Sequence, residues 1–135
     1  MTTGQTICLA VPTLMAAFWS YVFITGNTDS FQQHFGKMPS GPDTLFAFAN
    51  AGIHLATMAF ISLAAFFHTD AVKRLVLRAY TLSFSGLLYL AYQSKELYLA
   101  DAFKMTVYQL CIGASLAFVG GFVLSPAANE KKKRF

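Results

Sequence analysis

The sequence predicts an all-α integral membrane protein, with four transmembrane helices in an up-down bundle and both termini on the same side. Three observations predict it. Four apolar stretches, at about 7–25, 45–67, 75–92 and 103–124, fill most of the 135 residues. A helix rises 1.5 Å per residue, so each stretch matches the roughly 20 residues that cross a hydrocarbon core. Charged residues make up only 12% of the chain, about half the roughly 25% usual in soluble domains. The connections between the second, third and fourth stretches are short, which makes consecutive helices antiparallel neighbours.

The first stretch, Ile7–Thr25, follows Met1-Thr-Thr-Gly-Gln-Thr, which holds no basic residue. A secretory signal needs a charged leader and a mitochondrial presequence is rich in Arg, so this stretch reads as a retained membrane helix. There is no Gly at position 2 for myristoylation and no C-terminal Cys for prenylation. Pro12 frees a carbonyl and is expected to bend the helix. The following connection, Gly26–Asp43, is the only sizeable one. Within it Ser30 can cap a single helical turn whose Phe31 and Phe35, at i and i+4, would lie on the membrane interface. Asp43 is expected at the N-cap of the second helix.

The second stretch, 45–67, ends at a tight basic connection from His68 to Arg74 that leads into the third, 75–92. A loop from Gln93 to Ala102 leads to the fourth, 103–124, with Lys104 at its margin, and a basic tail occupies 125–135. The chain is thus one four-helix domain. Lys73, Arg74, Arg78, Lys131, Lys132, Lys133 and Arg134 fall on the side of the termini, against Lys37, Lys95 and Lys104 on the other. The positive-inside rule then turns both termini toward the cytoplasm, matrix or stroma. Basic residues gathered at helix ends form no continuous face for a nucleic acid, so the formal charge of +4 does not imply one as a partner.

Small residues four apart mark helix contacts in lipid, where backbone approach rather than the hydrophobic effect drives association. Gly113, Ala117 and Gly121 form the best such stripe; Ala47 with Ala51, and Gly52 with Ala56, form two more. Thr13 to Ala17 and Ala16 to Ser20 add steps on the first helix. These stripes serve internal packing or the docking of a neighbouring subunit. Trp19, Tyr21, Tyr92, Tyr98 and Tyr108 read as an aromatic belt at the far interface. Cys8 and Cys111 lie at different depths and read as two separate buried thiols, not a disulfide or a metal site.

His54 is the leading candidate for chemistry. It stands near mid-depth with Asn50 one turn before it and Thr57 after it, and an ionisable group there is costly enough to suggest a use. A neutral imidazole can ligate haem iron or chlorophyll magnesium. The structural alternative is a hydrogen bond to Ser83 or Ser85 on the third helix. His68, Asp70 and Lys73 have no nucleophile beside them and read as a helix-ending turn; Glu96 and Asp101 lie outside the depth a proton relay needs. No convergent set of polar groups suggests an enzyme or a metal site.

The tail ends Lys131-Lys132-Lys133-Arg134-Phe135. Lys132 and Lys133 match a dilysine retrieval signal to the endoplasmic reticulum; all four basic residues also suit anionic headgroups. The layout of short head, long first connection, tight basic second connection and basic tail is similar to that of small scaffold proteins of sterol biosynthesis. That resemblance matches no motif and implies no site residue. The function expected from these features is a non-catalytic accessory subunit of a larger membrane complex, respiratory or photosynthetic, in an organellar inner or thylakoid membrane. Its partners would be other membrane subunits and lipids, with no resident cofactor. An endoplasmic-reticulum scaffold is one alternative. A haem- or chlorophyll-binding protein using His54 is the other.

Overall fold

A computed structural model describes residues 4–26, 28–35 and 42–124 of the chain. Its long helices are α1 (Gly4–Thr25), α3 (Pro42–Phe66), α4 (Asp70–Gln93) and α5 (Ala100–Phe118), with a short α2 (Thr28–Phe35) between the first two. A turn of π-helix, Val119–Val123, prolongs α5, and one turn of 3-10 helix, Lys95–Leu97, bridges α4 to α5. No strand occurs among the described residues. Four helices are long and apolar enough to span a membrane, α5 with its π-turn counting as one. At 1.5 Å per residue they extend about 33 to 38 Å. Direction alternates along the chain, so α1 begins and α5 ends at one end of the bundle, called the near end below. There the Gln5 side-chain amide donates to the Leu124 carbonyl at 3.1 Å.

Each long helix begins before the apolar stretch that announced it. α4 starts at Asp70, taking in Lys73 and Arg74, so the connection from α3 is only Phe67–Thr69. Hydropathy marks the part of a helix suited to lipid, whereas the hydrogen-bonded spiral continues through polar turns at its ends. Pro42 opens α3, a position where its fixed φ is preorganised and its missing N–H costs nothing. Asp43 is therefore the second residue of the helix and not its N-cap. The expected single turn near Phe31 is instead the eight residues of α2. Pro12 lies inside α1, which runs on without a break.

α1 is the centre of the bundle. It packs most extensively along α3 and also touches α4 and α5, while α4 packs along α5. α3 and α4 meet much less than the tight connection between them would suggest. Their tie is near that connection, where the Ser62 and Tyr80 hydroxyls share a 2.8 Å hydrogen bond. Thr13 of α1 is a further hydroxyl neighbour of Tyr80, so this ring joins three helices. Tyr80 stacks on Phe84, with ring centroids 5.6 Å apart. Leu9, Leu77 and Ala117 are wholly buried around them.

Glycines set the closest approaches. Gly113 faces Phe84 of α4 and Met15 of α1; Gly121 faces the backbone of Arg78; Gly52 faces Phe23 and Ile24 of α1. Gly120, which the sequence stripe did not include, sits tightest of those in the α1–α4 seam, against Cys8 and Leu77. Arg78 stands inside the third apolar stretch. A π-turn changes which carbonyls are satisfied along the helix, and both Arg78 and Arg74 donate their Nε to the Gly121 oxygen, at 3.0 and 3.4 Å. The Arg78 guanidinium also lies 5.0 Å from the centre of the Phe122 ring.

Gly26 ends α1 in the left-handed region at φ 60° with open space where a Cβ would stand. Gly26→Ala is expected to cost about 1–2 kcal/mol through backbone conformation alone. An unfolding titration in mixed detergent micelles checks this, and Gly86→Ala, at a helical glycine also in open space, supplies the unstrained control.

Candidate functional site

α3 turns two unlike faces outward and inward. Gly52, Ala59, Ser62 and Ala65 are buried, the first of them against α1. Ala47, Asn50, Ala51, His54 and Thr57 are exposed, and Ala56 is half-buried. Thr57 satisfies itself by donating to the Ile53 carbonyl at 3.0 Å. Asn50 and His54 have no hydrogen-bond partner among the described residues. They are the 9th and 13th residues of the 25 in α3, within its apolar middle. The expected bond from His54 to Ser83 or Ser85 is absent. Those serines are exposed on α4, and α3 and α4 have parted company at that level.

The stripe Gly113, Ala117 and Gly121 lies inside the bundle against α1 and α4, as does Gly52. Ala47 and Ala51 do not: they remain on the surface beside Asn50 and His54. One face of small residues is thus consumed by the chain itself and another is left over. Cys8 is buried, but Cys111 is exposed, because it lies on the outer side of α5; both thiols are free. Lys131, Lys132, Lys133 and Arg134 lie outside the described residues.

At the near end, the charged turn is built into the fold. Asp70 is 1% exposed and Lys73 7%, and their side chains pair at 3.4 Å. Burial removes both groups from water, so each requires the other. His68 is an exposed turn residue beside them. At the far end, Asp101 and Lys104 form an exposed pair at 3.6 Å, and Lys95 lies 5.7 Å from the Phe103 ring. Tyr21, Tyr92 and Tyr108 are exposed, as a belt requires. Trp19 and Tyr98 depart from it: both line a cleft inside the far half of the bundle. Burial raises the Tyr98 hydroxyl pKa above its ordinary value.

That cleft lies where α3 and α4 diverge. Its volume is about 100 Å³, and its wall is formed by α1, α4 and α5 with Leu55 of α3. Sequence reading missed it because most of the lining residues are ordinary apolar and aromatic types, drawn from five different segments. Only the unusual polarity of Thr106 and Gln109, one turn apart in the fourth stretch, hinted at an inward-facing site. Among the described residues no group of three or more His, Cys, Asp and Glu is placed to hold a metal ion. No protein-family model, curated protein or solved structure matches the chain.

Proposed function

We propose that this protein is a non-catalytic accessory subunit of a larger membrane assembly, with the outer face of α3 packed against a transmembrane helix of another subunit. The observation that supports this most directly is the pair Asn50 and His54, which have no hydrogen-bond partner among the described residues. In hydrocarbon no water solvates them, so an amide and an imidazole facing lipid are costly, and a partner helix bearing a hydroxyl or amide removes that cost. Interhelical polar bonds in membranes contribute on average about 0.6 kcal/mol and up to roughly 2. Ala47 and Ala51 let a neighbouring backbone approach on the same face. Most of the described residues lie in membrane-length helices. A respiratory or photosynthetic assembly, in an organellar inner or thylakoid membrane, suits a subunit of that shape.

The test is migration of the native protein, solubilised in mild detergent, on a native gel. The expected result is a band of several hundred kDa for the unaltered chain. Asn50→Leu combined with His54→Leu is expected to shift most of the protein to a monomer of 14.8 kDa plus micelle, with helicity unchanged. A monomer for the unaltered chain would reject the proposal.

The exposed imidazole supports a second reading in which His54 ligates haem iron or chlorophyll magnesium held between subunits. In that case the purified assembly absorbs visible light, and His54→Leu abolishes the band while His68→Leu leaves it.

A further inference from the structure

We propose that the cleft between α1, α4 and α5 binds a neutral lipophile bearing a hydroxyl or carbonyl oxygen, with that oxygen seated on Thr106 and Gln109. The argument begins with how threonine behaves inside these helices. A hydroxyl in an apolar helix normally returns its proton to the carbonyl one turn back. Thr13, Thr25, Thr57 and Thr81 all do so, at 2.7, 2.6, 3.0 and 3.0 Å. Thr106 does not. Its Oγ1 is buried with no hydrogen-bond partner, and the residue lines the cleft.

A buried polar atom left unsatisfied is costly and rare in folded chains. Gln109, one turn further along α5, lines the same wall, and its side chain has no hydrogen bond among the described residues. A hydroxyl and a carboxamide side by side offer both donors and acceptors, which suits one alcohol or carbonyl oxygen. Among the described residues no charged side chain lines the cleft, so an ionised headgroup would enter without a counter-charge from them.

The rest of the cavity specifies the body of the ligand. Trp19 and Phe23 of α1, Phe84 of α4 and Tyr98 of the α4–α5 connection give it aromatic walls. The space it encloses is about 100 Å³ and continues through an open mouth. A bare acyl tail could fill the same space, but it would leave Thr106 and Gln109 as they are. Two unpartnered polar groups on an oily wall therefore favour an oxygen-bearing guest over a hydrocarbon one.

The experiment compares two photoactivatable probes on the purified full-length chain in detergent. One is a long-chain alcohol carrying a diazirine, the other the diazirine alkane of equal length. The expected result is that the alcohol labels cleft residues, Trp19 and Leu110 among them, at about tenfold lower concentration than the alkane. In Thr106→Val with Gln109→Leu that advantage is lost, while alkane labelling is unchanged. Thr106→Val alone is expected to keep or raise the melting temperature, because no bond is given up. Equal labelling by the two probes would mean a space for lipid tails only and would overturn the proposal. Alcohol labelling confined to the outer helix faces would overturn it as well.

Discussion

Gly120→Leu is expected to abolish the folded bundle. An added Cβ at this position would stand 2.6 Å from the Cys8 Cβ and 2.6 Å from Leu77 Cδ1. Neither neighbour has room to move: Leu77 is wholly buried and Cys8 nearly so, both within the central cluster. Alanine alone is expected to cost about 1–3 kcal/mol, the usual penalty for forcing a methyl into a packed interior. Leucine would separate α1 from α4 along the seam through which the near end is closed. Unfolding titrations of the purified protein in mixed micelles measure both. Gly86→Ala is the control, since a Cβ there meets nothing within 4 Å; it should be neutral or slightly stabilising through helix propensity. Equal stability of the Gly120 and Gly86 variants would contradict the packing described for Gly120.

The second large effect concerns charge. Asp70→Asn is expected to destabilise the bundle by roughly 3–5 kcal/mol, because it leaves the Lys73 ammonium buried without its counter-ion. Their side chains are 2% and 8% exposed, so water offers little substitute. The negative charge also lies in the first turn of α4, where the helix dipole favours it. A second change separates these contributions. Lys73→Met made on the Asp70→Asn background is expected to restore most of the lost stability, since a buried pair replaced by uncharged groups is often close to neutral. Lys104→Met at the exposed pair with Asp101 should have an effect near zero. Thermal unfolding followed by circular dichroism compares all four proteins. A double variant no more stable than Asp70→Asn would show that the carboxylate acts through something other than Lys73.

Helix number and location were legible in the sequence because lipid imposes a length and a solvent preference on every span. Helix ends were less so. Asp70, Lys73 and Arg74 look like a loop to a hydropathy reading, yet they form the first turns of α4 and bury the first two. Spacing found Gly113, Ala117 and Gly121 on one face but passed over Gly120, whose neighbours Cys8 and Leu77 come from other segments. It also could not tell which small residues the chain would use for itself, since Gly52 and Ala51 are adjacent yet the first is buried and the second exposed. His54 was legible as a polar residue at depth. That it faces outward depends on the divergence of α3 from α4, a property of packing that no local pattern encodes. Trp19 and Tyr98 resemble their fellow interfacial aromatics by type and position; only the cleft distinguishes them.

The bond from Gln5 to the Leu124 carbonyl has a consequence for biosynthesis. It joins positions 119 residues apart, and the Gln5 amide that makes it is almost completely enclosed. Translation makes α1 well before the residues that complete this edge, so its partners here exist only after the π-turn has been made. Until then the helix waits with a carboxamide and a crowded glycine-facing surface uncovered. Closure of this edge of the bundle is therefore a late event, and a chain stalled before Val119 would leave Gln5 without its bond to Leu124.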